Sequence, residues 1–104
     1  KEGRRTIRTG QIIYIESKLH NILICVYEMG EIKTYTYNAK IAEIEDLLSD
    51  EKIIRVHQSY MINLKYLKKF FRDKIVMKTG DEIPVSRSRS AEVKEQYLCY
   101  MGDF

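Results

Sequence analysis

Ile54-Arg55-Val56-His57-Gln58-Ser59-Tyr60-Met61-Ile62-Asn63-Leu64-Lys65-Tyr66-Leu67 opens as a strand and then loses its period. Ile53 to His57 is a short β-branched run, which suits a pleated, half-buried surface. Gln58-Ser59 interrupts it with polar side chains. From Ser59 to Leu67 apolar residues mix without a clear repeat.

Outward from this stretch the strand signal recurs. Gly3 to Thr9 reads as a first short strand, broken by Gly10. Gln11 to Glu16 is apolar at nearly every position, the pattern of a strand covered on both faces. Ser17 to Asn21 is polar and turn-like, and Ile22 to Tyr27 is a second buried strand. Glu28-Met29-Gly30-Glu31 is a tight connection in which Gly supplies the turn. In Ile32 to Tyr37, Ile32, Thr34 and Thr36 point one way and Lys33, Tyr35 and Tyr37 the other. Towards the C-terminus, Leu67–Arg72 and Lys74–Thr79 read as a hairpin around Arg72-Asp73-Lys74. Gly80-Asp81 then turns the chain into Glu82–Val85.

Two segments change period. Ile41, Ile44, Leu47 and Leu48 recur at three- and four-residue spacing with acids between them, which predicts an amphipathic helix over about 40–49, with Asn38 as N-cap and the apolar stripe facing the core. Ala91 to Tyr100 reads as a closing helix over about 91–100, with Ser90 as N-cap and Val93, Gln96, Tyr97 and Tyr100 on one side. The sum is a mostly β domain of short antiparallel strands with little helix. The 104 residues are expected to form a single domain over 1–104, cut from a longer chain.

The composition excludes several classes. Hydrophobic residues make up 44% and charged residues 32%, a globular balance, and no apolar run reaches the ~18 residues of a membrane span. No membrane contact by this domain is expected. Cys25 and Cys99 form no CxxC and sit in apolar company, so both are expected as reduced, buried thiols of a cytoplasmic protein. The histidines are His20 and His57, and no HExxH, GxSxG or Walker loop occurs. Catalytic residues, metal ligands and cofactors are therefore not expected.

Binding chemistry is better represented. Net charge is only +3, but Lys52 to Lys78 carries eight Lys or Arg against Asp73 alone, while Ala42 to Asp50 carries four acids and no base. Such segregation can give a fold a positive side. Three polar segments interrupt the strands: Ser17–Asn21, Gln58-Ser59 and Ser86–Ser90. Arg grips guanine through two parallel hydrogen bonds, and Gln does the same for adenine. Ser and Lys fit phosphate oxygens. The aromatic residues alternate within strands or sit in apolar company, which argues for packing over a single-strand stacking platform.

The central stretch resembles the signature of the LytTR family of DNA-binding domains: Arg55-x-His57, a polar residue, then Ser59, aromatic Tyr60, apolar Met61 and Ile62, Asn63 and Leu64-Lys65. Ile12–Glu16 is similar to that family's early strand ending in an acid, and Ile83-Pro84-Val85-Ser86-Arg87 to its late strand leading into Ser-Arg. The resemblance runs from about Arg5 to Tyr97. It implies small antiparallel sheets and sequence-specific binding of double-stranded DNA through loops that enter successive major grooves. It also implies the output role in a bacterial transcription regulator of a two-component system, behind an N-terminal receiver or sensor domain. The base-reading positions it implies are His20 (with Lys18 as alternative), Gln58, and Arg87 or Arg89. Lys18, Asn21, Ser59, Ser86 and Lys94 fall where phosphate contacts are expected. The family most often has Arg or Lys where Gln58 stands, so this chain brings less charge there. Asn63 and His57 read as structural, and Arg55 as either an ion-pair residue or a phosphate contact. The modest charge suggests that one domain binds weakly and that a second copy acts on an adjacent DNA site. The alternative reading is an interaction module whose basic hairpin at Leu67–Thr79 docks an acidic partner.

Overall fold

The computed structural model describes residues 7–48 and 52–102. The expected strand at Gly3–Thr9 falls largely outside them. Within the described residues, Thr9–Gln11 forms a 3-10 turn instead, closed by the Gln11 N–H donating to Arg8 O at 2.9 Å.

Strands β1 (Ile12–Lys18), β2 (Asn21–Glu28) and β3 (Glu31–Tyr37) form two consecutive hairpins. Both connections are two residues long. In the second, Met29 and Gly30 take φ of 52° and 78°, the twist that lets a two-residue turn match the flanking strands. β4 (Ile53–His57) and β5 (Tyr60–Asn63) make a third hairpin, and β5 also pairs with β1. The sheet order is β3-β2-β1-β5-β4, antiparallel throughout. A second sheet, β6-β7-β8, comprises Leu67–Phe70, Lys74–Met77 and Glu82–Pro84.

Both faces of the larger sheet are covered over its central strands, which explains the near-continuous apolar runs there. On one face Ile12, Ile15, Ile24, Val26, Ile53 and Met61 pack with Ile41 of helix α1 (Ile41–Leu47). On the other, Ile13, Cys25, Val56 and Ile62 meet Leu67, Ile75, Met77 and Ile83 of the second sheet and Val93 of helix α2 (Ser90–Met101). Neighbouring Met61 and Ile62 thus serve opposite cores, each about 1.5–3 kcal/mol of burial by side-chain area. Asn63 ends β5 fully buried. Its amide donates to Ile12 O at 2.8 Å and its Oδ1 accepts from the Lys65 N–H at 2.9 Å. That starts a 3-10 turn, Leu64–Tyr66, leading into the second sheet.

The helices depart from expectation in detail. α1 is shorter than 40–49, and Lys40 rather than Asn38 is its N-cap; the Lys40 N–H donates to Glu43 Oε1 at 3.2 Å. Leu47 is 78% exposed. At about 100° per residue it falls well off the stripe shared by Ile41, Ile44 and Leu48. Ser90 is the first residue of α2 rather than its cap, because its hydroxyl is used elsewhere. Gln96 and Tyr100 are exposed on α2, leaving Val93 as its buried residue and Tyr97 half-buried. Cys25 is buried as expected, but Cys99 is exposed: it lies on the solvent side of α2, away from Val93.

Candidate nucleic-acid interface

The first polar segment is the β1–β2 turn. Leu19 takes a left-handed φ of 59° with its side chain 89% exposed, a conformation disfavoured for a branched residue. Lys18 and His20 beside it are exposed, and Asn21 is half-buried opposite Lys18.

The second segment, the Gln58-Ser59 turn, is built from beneath. Arg55 donates through Nε to His57 O at 2.9 Å, through Nη2 to Gln58 O at 2.7 Å and through Nη1 to Glu45 Oε1 at 2.6 Å. A planar guanidinium can satisfy three acceptors in this way, while an ammonium cannot hold the same fork. The side chain is only 13% exposed, so Arg55 is an ion-pair residue that clamps the turn. His57 accepts the Ser59 N–H at Nδ1 (3.1 Å) and packs edge-on against Tyr60. It is a structural histidine. Gln58 is left exposed at the tip, with Ser59 half-buried. Burial, then the adjacent Glu16 carboxylate, pushes the Tyr60 hydroxyl up from its ordinary pKa.

The third segment follows β8. Arg87–Arg89 is a 3-10 turn rather than an irregular loop, closed by the Arg89 N–H donating to Ser86 O at 3.0 Å, and it runs straight into α2. Arg87 is exposed and borders an open recess with Arg72 and Phe71. Arg89 is half-buried and borders another with Glu45, Asp46 and Glu92. The Ser86 hydroxyl oxygen is enclosed, with no hydrogen-bond partner among the described residues. Lys94 is exposed on α2, four residues beyond Ser90.

Topology brings the three segments to one end of the molecule. β1 and β4 both run antiparallel to β5, so their C-terminal turns emerge on the same side. Backbone hydrogen bonds then stitch the segments together. The Ser17 N–H donates to Ser59 O at 2.7 Å, and the Ser86 N–H to Val56 O at 2.9 Å. His20, Gln58 and Arg87 therefore sit on turns that share one scaffold. Among the described residues Lys18, Arg87, Arg89 and Lys94 make no ion pair, so their charges are not spent internally. The triple role of Arg55 was open from sequence, and the Ser90 hydroxyl bond to Arg72 O had no sequence signal at all.

A two-sheet β domain presenting three stitched polar turns at one end, with cations that make no ion pair among the described residues, has the form of a binding module. The comparisons agree. The model of the LytTr DNA-binding domain matches residues 2–98, and the chain belongs to that family. It is 31% identical over 94 residues to the sensory transduction protein LytT of Bacillus subtilis (strain 168), an alignment that takes in 86% of this chain and 37% of that protein. The chain thus spans little more than a third of this relative. Its fold is similar to the LytTr DNA-binding domain of a methyl-accepting/DNA response regulator from Bacillus cereus, with a TM-score of 0.75 and 24% identity, covering 86% of this chain and 84% of that one.

Proposed function

We propose that this domain binds double-stranded DNA at defined sequences, as the output part of a two-component transcription regulator. The observation that carries this reading is the stitched cluster of three polar turns at one end of the sheet, in a chain of the LytTr DNA-binding family. In this reading the turns enter successive major grooves. His20, Gln58 and Arg87 read base edges, and Arg89 serves the same segment from a more acidic recess. Lys18, Asn21, Ser59 and Lys94 hold phosphates. Ser86 belongs with them, though its enclosed hydroxyl must turn outward to reach one. The domain acts without catalysis or cofactor, alongside a second copy on adjacent DNA and behind an N-terminal receiver or sensor domain. No helix among the described residues is long and apolar enough to cross a membrane, and a cytoplasmic setting fits the proposed partner.

The test is selection of preferred sites from random duplex DNA at near-physiological salt, with single-stranded competitor. A defined motif, repeated at helical spacing, is the expected result. Duplex binding no better than competitor would overturn the reading and favour a protein partner for the basic hairpin.

A further inference from the structure

The basic β6–β7 hairpin is not absorbed by the three turns, yet it is fastened directly to the third of them. The Ser90 hydroxyl donates to Arg72 O at 2.8 Å, and the Val85 N–H donates to Asp73 O at 3.0 Å. These two bonds hold the hairpin tip beside the Arg87 turn and leave between them an open recess of about 800 Å³. Arg72 and Arg87 border it from opposite elements, with the exposed Phe71 ring on the hairpin side. Lys74 is partly committed, 3.4 Å from Glu82 and above the Phe71 ring. Arg72 is exposed and, among the described residues, has no ion pair.

Two guanidiniums from separate elements bordering one solvent-open recess suit an anion with several oxygens, since each presents a planar fork of donors. Asp73 also borders the recess and opposes any anion there, an acidic side chain and a phosphate alike. A continuous polyphosphate backbone is favoured over an acidic peptide because it gains from counterion release as well. We propose that the β6–β7 hairpin is a further DNA-contacting segment beyond the three turns, acting through Arg72. Arg72 grips a backbone phosphate beside the base pair that Arg87 reaches, so that the hairpin extends the footprint past the three turns. This inference rests on the duplex-binding reading above.

The test compares wild type with Arg72→Ala, Arg72→Lys and Arg87→Ala on a duplex of the selected sequence and on a scrambled duplex of equal length, across a salt series. Arg72→Ala is expected to weaken binding roughly fivefold to tenfold on both duplexes and to lower the salt slope by about one. Arg72→Lys should recover most of the slope, because a phosphate accepts either cation. The melting temperature of Arg72→Ala should match wild type, since among the described residues the Arg72 carbonyl is bonded to Ser90 while its side chain is exposed and makes no ion pair. If Arg72→Ala keeps wild-type affinity and slope while Arg87→Ala loses binding, the hairpin contact is wrong and the three-turn reading stands. If wild type fails to prefer any duplex over single strands, both fall together.

Discussion

The Arg55 guanidinium donates to Glu45 Oε1 at 2.6 Å and thereby ties helix α1 to the strand that feeds the Gln58 turn. The same guanidinium holds the carbonyls of His57 and Gln58, so helix, strand and turn meet at one side chain. Arg55→Lys keeps the charge but loses the fork. It should cost about 1.5–3 kcal/mol in urea unfolding, the range for hydrogen bonds to a charged group. It should also lower duplex affinity without altering the salt slope, because the Arg55 guanidinium is already committed to three acceptors inside the fold. An unchanged unfolding midpoint would show that the clamp contributes nothing.

Asn63→Ala deletes a buried side-chain amide and leaves its two backbone partners behind. The Lys65 N–H loses its acceptor and Ile12 O loses its donor. Buried groups left unpaired cost about 1–3 kcal/mol each, so the variant should rank among the least stable single substitutions of this chain. Chemical denaturation measures this, and a loss below about 0.5 kcal/mol would contradict the burial argument.

Arg87→Ala and Lys18→Ala should separate base reading from phosphate gripping. The first is expected to lose about 1–3 kcal/mol on the selected site and to relax preference at one base pair. The second should weaken every sequence alike and reduce the salt slope by about one. Titrations on single-base variants of the site decide the matter: an Arg87→Ala protein that ranks those variants as wild type does takes Arg87 out of the base-reading set.

Alkaline pH should destabilise the fold through Tyr14. Burial first, then the charges of Asp81, Cys25, Glu16 and Tyr60, push its hydroxyl up to about 12 from 10.0. The unfolded chain therefore releases this proton first. The contribution is whole below the unfolded value and is lost as pH rises from there towards about 12. The Cys25 thiol, raised chiefly by burial and then by Asp81, acts in the same direction. Urea midpoints measured between about pH 8 and about pH 11 should fall for wild type and fall less for Tyr14→Phe. Parallel declines would remove Tyr14 as the cause.

The two thiols should differ in reactivity. Cys99 is exposed on α2, whereas Cys25 is buried with its thiol pushed up. Thiolate is the reactive form, so a thiol reagent should label one site per native chain quickly and the second only on unfolding. Equal rates in the native protein would mean that the central sheet opens readily.

The legible parts of the fold were those where one physical rule acts alone. β1, β2 and β3 showed apolar runs or alternation, and Ile41, Ile44 and Leu48 showed helical spacing. β5 was illegible because Met61 and Ile62 face different cores and Asn63 is buried for its hydrogen bonds, so no period survives. The 3-10 turns at Thr9–Gln11, Leu64–Tyr66 and Arg87–Arg89 are too short to carry one. The three polar segments could be read from residue type. That they share one end depends on the pairing of β5 between β1 and β4, a long-range fact that neighbouring residues do not encode. The exposure of Cys99 likewise depends on how α2 is rotated about Val93, which apolar neighbours in sequence do not fix.

The bonds that stitch the turns, Ser17 N–H to Ser59 O and Ser86 N–H to Val56 O, run from main chain to main chain. They make no demand on the identity of the residues at the tips. His20, Gln58 and Arg87 can therefore be exchanged singly or together while the mounting beneath them stays in place. If the tips read DNA as proposed, a domain built this way can acquire a new target by drift at a handful of positions, without first losing its fold.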